Sequence, residues 1–86
     1  ISMLTNVYKL DLRYCKKITD VGNLRKLKYL CVNTYVEGIH LLKELILLII
    51  DKTLKNLLKI QIKKLQKINK NVKISLIYSQ EIWNQK

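Results

Sequence analysis

The chain has 86 residues, enough for one domain with a limited core. Apolar residues make up 49% of it, which is too many for an intrinsically disordered chain. Its 17 basic and 6 acidic residues give a net charge of +11, which favours attraction to polyanions and acidic partners without specifying a fold.

The sequence carries no recognisable signal for catalysis, metal binding or membrane insertion. The acidic residues are scattered, and the only histidine, His40, is interpreted as a solvated surface residue. Cys15 and Cys31 form neither a CxxC pair nor a ligand set with the histidine. The longest apolar run, 45–50, is too short to cross a bilayer. We therefore expect an intracellular, cytoplasmic protein with reduced thiols that is not an enzyme and binds no cofactor or metal.

Aliphatic residues recur at fixed distances along the first fifty residues. The spacing L-x-x-L-x-x-L-x-L begins at Leu4, returns at Leu24 and returns again at Leu42, so the copies are 20 and then 18 residues apart. A second apolar track precedes the last two copies at identical offsets: Ile18 and Val21, then Val36 and Ile39. The final two-residue step of each copy is typical of a strand. The predicted strands are 9–13, 28–33 and 46–50.

After Ile50 the spacing changes. One face of a helix over 53–68 would carry Leu54, Leu57, Leu58, Ile62, Leu65 and Ile68. This pattern predicts an amphipathic helix that Asp51 or Thr53 caps. Another face carries lysines at every fourth position: Lys55, Lys59, Lys63 and Lys67. In an alternative register the stretch is a degenerate repeat with Ile60 and Ile62 on a strand, but that repeat would be unusually short. The helix instead gives one repeat of 26 residues, from Leu48 to Ile74.

The end of the chain predicts a fourth strand and a cap. Apolar and polar residues alternate over 73–77, as in a half-buried strand, and Asn69 and Asn71 supply the turn before it. The tail, 78–86, is mostly polar and is expected to cover the open end of the core.

The segment LDLRYCKKITDVGNLRKLKYLCV resembles leucine-rich-repeat proteins with short repeats that carry cysteine or asparagine after the strand. The likeness covers residues 4 to 50 well and the remainder loosely. It implies an α/β fold: a short solenoid with a concave parallel sheet, and with turns or a helix on the convex side. Residues 1–86 would form a single domain, the C-terminal part of a longer array. In such repeats Cys15 points inward, whereas Cys31 lies on the concave face.

Strand alternation then predicts a binding surface. Side chains opposite the core form an apolar centre with a charged rim, which resembles a protein interface. The predicted partner-binding residues are Tyr29, Cys31, Asn33, Leu47, Ile49 and Ile77. The predicted rim is Lys9, Arg13, Asp51 and Lys73. We therefore expect a module that binds an acidic-rimmed protein. The alternative is that missing chain or a bent C-terminal segment covers the apolar residues.

The lysine stripe suggests a second function. Lys55, Lys59, Lys63 and Lys67 could bind a polyanion, namely RNA, DNA or anionic lipid. No nucleic-acid-binding motif is present, and no aromatic ladder interleaves the lysines. A solvated charged face is the simpler interpretation, so we place polyanion binding second to protein binding.

Overall fold

The computed structural model describes residues 7–13 and 17–77. They form an α/β fold with a four-stranded parallel sheet and one α-helix. The strands are β1 (Lys9–Asp11), β2 (Tyr29–Val32), β3 (Leu47–Asp51) and β4 (Lys73–Ile77), and the helix is α1 (Lys59–Ile68). Short 3-10 turns lie at Ile39–Leu41 and Lys52–Leu54. Leu4, Cys15 and the tail 78–86 lie outside the described residues.

The strands are adjacent in the order in which they occur along the chain, β1-β2-β3-β4. Lys9 pairs with Tyr29, Tyr29 with Leu47, and Leu47 with Lys73, so successive strands are offset by 20, 18 and 26 residues. These are the offsets of the apolar pattern in the sequence. The register is therefore confirmed, and each strand lies where it was predicted, with its ends differing from the prediction by at most two residues.

One face of the sheet packs against the segments that connect the strands. Leu30, Val32, Leu48 and Ile50 point from β2 and β3 into this core and are almost inaccessible to solvent. The connecting segments contribute the three-residue apolar steps that the sequence shows. These buried residues are Val21, Leu24, Leu27, Val36, Ile39, Leu42 and Leu45. Residues of both apolar tracks are therefore buried in the same core.

The first two connecting segments contact each other through their backbones. Glu37 N–H donates to Thr19 O at 2.8 Å, and Val21 N–H donates to Glu37 O at 2.9 Å. Directly after this contact Gly38 has φ of 90°, and a Cβ there would lie 2.4 Å from the backbone nitrogen of Gly22. Only glycine fits, because both the left-handed conformation and the close approach exclude a side chain.

The prediction of one helix over 53–68 is only partly right. α1 begins at Lys59, and the chain reaches it through the 3-10 turn and a further turn. Asp51 caps the 3-10 turn, since its Oδ1 accepts from Thr53 N–H at 3.0 Å. Leu57 lies before α1 and is 64% exposed, so it is not part of the apolar face. The helix does rule out the degenerate-repeat register, because Ile60 and Ile62 are both helical.

Two buried amides attach α1 to the preceding connection. Gln61 Nε2 donates to Val36 O at 2.8 Å, and Gln61 Oε1 accepts from Ile39 N–H at 2.9 Å. Asn69, just after α1, donates to Leu45 O at 2.7 Å. Both amides pair with backbone groups of the segment between β2 and β3. Such groups are costly when they are buried without a hydrogen-bond partner.

Candidate functional site

The side of the sheet turned away from the core is called the open face below. Strand alternation places side chains of β1, β2 and β3 on it, and the parallel register sets them side by side. Tyr29 lies beside Leu47, and Cys31 lies beside Ile49. Tyr29 is 43% exposed, and the other three side chains are half-buried. These four residues form a contiguous apolar cluster at the middle of the sheet.

A shallow groove of about 310 Å³ runs over this cluster. It is lined by Lys9, Leu10, Asp11, Arg13, Tyr29, Leu30, Cys31, Leu47 and Ile49. Four of the six predicted partner-binding residues therefore line one groove. Asn33 and Ile77 do not, because Asn33 follows the end of β2 and Ile77 lies at the far end of β4. Asn33 Oδ1 is instead buried, with no hydrogen-bond donor among residues 7–13 and 17–77.

The charged rim differs from the predicted one at two positions. Asp11 and Arg13 form an ion pair, in which Arg13 Nε donates to Asp11 Oδ2 at 2.7 Å. The hydrogen bond from Arg13 holds the pKa of Asp11 below its usual value. The charge of Arg13 is thereby largely neutralised. Asp51, predicted on the rim, is only 5% exposed because its carboxylate caps the following turn. Lys9 and Lys73 remain as exposed positive charges on this side of the sheet.

The thiol of Cys31 lies in the floor of the groove. Desolvation raises its pKa to about 11, and the negative charge of Asp11 adds to the rise. A thiol with so high a pKa stays protonated at neutral pH and is a poor nucleophile. Cys31 therefore presents a neutral thiol to the groove.

The lysine stripe is divided by the structure. Lys55, Lys59 and Lys63 line a second groove, of about 240 Å³, together with Ile62, Gln66, Ile74 and Leu76. Lys67 is exposed but does not line it. Lys55 precedes α1, so the four lysines do not form one helical stripe. The result is a basic rim of three lysines around an aliphatic floor.

His40 is half-buried rather than fully solvated. Its Nδ1 lies 3.3 Å from Gln61 Oε1, in the contact that attaches α1 to the second connection. The apolar pattern of the sequence did not predict the role of Gln61 in this contact. The signal was present, because Gln61 lies three residues after Leu58 and four before Leu65, on the buried side of the helix. A polar residue at such a position indicates a buried hydrogen bond.

The described residues contain no group of three metal-ligating side chains. Within 7–13 and 17–77, none of the helices has the length and apolar character needed to cross a membrane. No protein-family model, curated protein or solved structure matches this chain.

Proposed function

We propose that this chain is a non-catalytic protein-interaction module built as a short leucine-rich-repeat solenoid. Support for the architecture comes from the strand order, in which each strand adds next to the one before it. It comes also from the backbone contact between the first two connections at Asp20 and Glu37. Stacked units of strand and connection are what a solenoid requires, since each unit buries its apolar face only against its neighbours.

The observation that carries the functional proposal is the apolar groove on the open face. Apolar patches with a charged rim often mark contact surfaces on proteins. Tyr29 is the natural anchor, because a partly exposed tyrosine offers large contact area and a hydroxyl at low entropic cost. Lys9 and Lys73 favour acidic residues at the periphery of the partner. The partner would thus insert an apolar side chain between Tyr29 and Ile49 and place carboxylates around it.

Affinity capture of partners from extracts of the source cells tests this function. Tyr29→Ala and Ile49→Asp should remove the bound protein while the circular dichroism spectrum and melting temperature stay nearly unchanged. The matched controls are Tyr35→Ala, because Tyr35 is also 43% exposed but does not line the groove, and Ile60→Asp on the outer side of α1. Both controls should retain the partner. If Tyr29→Ala and Ile49→Asp unfold the chain, the open face is core and the proposal is wrong.

Polyanion binding is the second candidate, and the gathering of Lys55, Lys59 and Lys63 on one groove favours it. Salt separates the two functions. Binding of nucleic acid weakens steeply with salt as counterions are released, whereas an apolar-centred contact changes little. A complex that survives raised salt supports the open face. An RNA complex that dissociates at the same raised salt, and that forms only when these lysines are present, supports the second candidate.

A further inference from the structure

The last strand of the sheet has an edge that pairs with no other described strand. β4 pairs with β3 along its whole length, and the sheet ends there. The described residues also cover the core side of β4 incompletely. Leu76 is 39% exposed, whereas Ile50, which pairs with it, is fully buried. An edge of this kind presents unpaired backbone N–H and C=O groups beside apolar side chains, which makes it a template for one more strand.

The second groove lies along the core side of this edge. Its floor is aliphatic, formed by Ile62 of α1 and by Ile74 and Leu76 of β4. Its rim carries Lys55, Lys59 and Lys63, and none of the described acidic residues lines it. The groove therefore offers apolar burial at the centre and positive charge around it. It shares no residue with the groove on the open face.

We propose that β4 and this groove bind an extended acidic segment of a partner protein, which adds to the sheet as a fifth strand. Backbone hydrogen bonds to the edge would supply affinity, and alternate side chains would supply specificity. Two aliphatic side chains on the groove side would cover Ile74 and Leu76. Carboxylates flanking them on that same side would reach Lys55, Lys59 and Lys63. This site is independent of the open-face groove that carries the first proposed function, and it uses the same three lysines as the second candidate, polyanion binding.

The charge and lining of the groove favour one occupant over the others. The tail 78–86, which is expected to cover the open end of the core, carries one acidic and one basic side chain, so it lacks the negative charge that the three lysines favour. A second copy of the chain would bring another +11 charge toward the lysines, which opposes association. Single-stranded nucleic acid is bound through aromatic stacking together with basic grooves, and no aromatic residue among 7–13 and 17–77 lines this one. An acidic strand with aliphatic residues matches both the floor and the rim.

A synthetic peptide tests the proposal directly. The probe is acetyl-Glu-Thr-Val-Thr-Val-Thr-Glu-amide, in which the glutamates and valines share one side of an extended strand. A scrambled peptide of the same composition and a peptide with lysine in place of glutamate are the controls. We expect the probe to bind, with amide shifts in residues 73–77, and both control peptides to bind at least about tenfold more weakly. Equal binding of the scrambled peptide would overturn the proposal.

Charge variants test the rim. Changing Lys55, Lys59 and Lys63 together to Gln should weaken the probe about tenfold. The matched control changes Lys17, Lys26 and Lys43 to Gln, and these lysines are exposed and lie outside the groove. It removes the same total charge but should change the affinity for the probe only slightly. Equal losses in both triple variants would show general attraction and overturn the site. Tyr29→Ala should leave the probe unaffected, which separates this result from the proposed function.

Backbone methylation of the probe tests strand addition itself. In a strand, neighbouring N–H groups point in opposite directions, so only alternate ones meet β4. N-methylation of one of the two central neighbouring amides should abolish binding, and methylation of the other should leave it nearly unchanged. Equal effects of both would exclude strand addition. A single-stranded oligonucleotide that binds more tightly than the probe and needs the same three lysines would overturn the choice of occupant.

Discussion

The first two connections and the last one are attached to the sheet in different ways. The segments between β1 and β3 bury leucine, valine and isoleucine at repeated three-residue steps. The segment between β3 and β4 contains α1, and it is held by apolar residues together with the amides of Gln61 and Asn69. A regular connection stacks on its neighbour and shares its backbone contacts. The longer connection that contains α1 does not repeat these backbone contacts. Backbone N–H and C=O groups of the segment between β2 and β3 therefore pair with the side chains of Gln61 and Asn69.

Core truncation should show the largest difference between the middle and the end of the sheet. Leu30→Ala removes a fully buried side chain from β2, and we expect it to lower the free energy of unfolding by about 2–5 kcal/mol. Leu76→Ala, on the half-covered last strand, should cost only about 1 kcal/mol. Urea unfolding of both variants measures the contrast. Equal losses would mean that the end of the core is as well covered as its middle.

The stacking of the regular connections depends on glycine at one position. Gly38→Ala forces a side chain into a left-handed residue and into the backbone of Gly22, so we expect a loss of about 2–4 kcal/mol in unfolding free energy. Gly22→Ala is the control, because its nearest neighbour is the movable Leu41 side chain at 3.0 Å and its backbone is not left-handed. A smaller loss for Gly38→Ala than for Gly22→Ala would contradict the close approach of the two connections.

The amide of Gln61 tests the polar attachment of the irregular connection. Gln61→Ala leaves the buried Ile39 N–H and Val36 C=O without their partner, and we expect a loss of about 1–3 kcal/mol. Gln66→Ala, an exposed position of the same helix, should stay within about 0.5 kcal/mol of the parent chain. Hydrogen exchange of the Ile39 amide provides an independent measurement, since only Gln61→Ala should accelerate it. An unchanged exchange rate would show that the hydrogen bond contributes nothing.

The lysines around α1 should have the smallest effect on stability. No acidic residue lies between Lys52 and Lys73, so nothing on the helix offsets their repulsion. Changing Lys55, Lys59 and Lys63 together to Gln should leave stability equal or raise it by a few tenths of a kcal/mol. Thermal unfolding at low and moderate salt measures this difference in stability. The difference should shrink at moderate salt, because salt screens the repulsion between the lysines of the parent chain. A clear destabilisation would assign these side chains a structural role.

The sequence alone determined where the four strands lie and how they pair. Apolar residues at fixed offsets had to share one core, and those offsets of 20, 18 and 26 residues are the register of the sheet. It also placed Tyr29, Leu47 and Ile49 on the opposite face, because side chains alternate along a strand.

Only the tertiary structure decided the features that depend on neighbours distant in sequence. Gln61 and Asn69 are buried because backbone groups more than twenty residues away need partners. Leu57 and Leu76 are exposed, although their apolar character predicts burial, because no described segment covers them. The start of α1 at Lys59 follows from the turn that the chain makes as it leaves β3. Periodicity reports which residues share a face, whereas the burial of a residue depends on what the rest of the chain packs against that face.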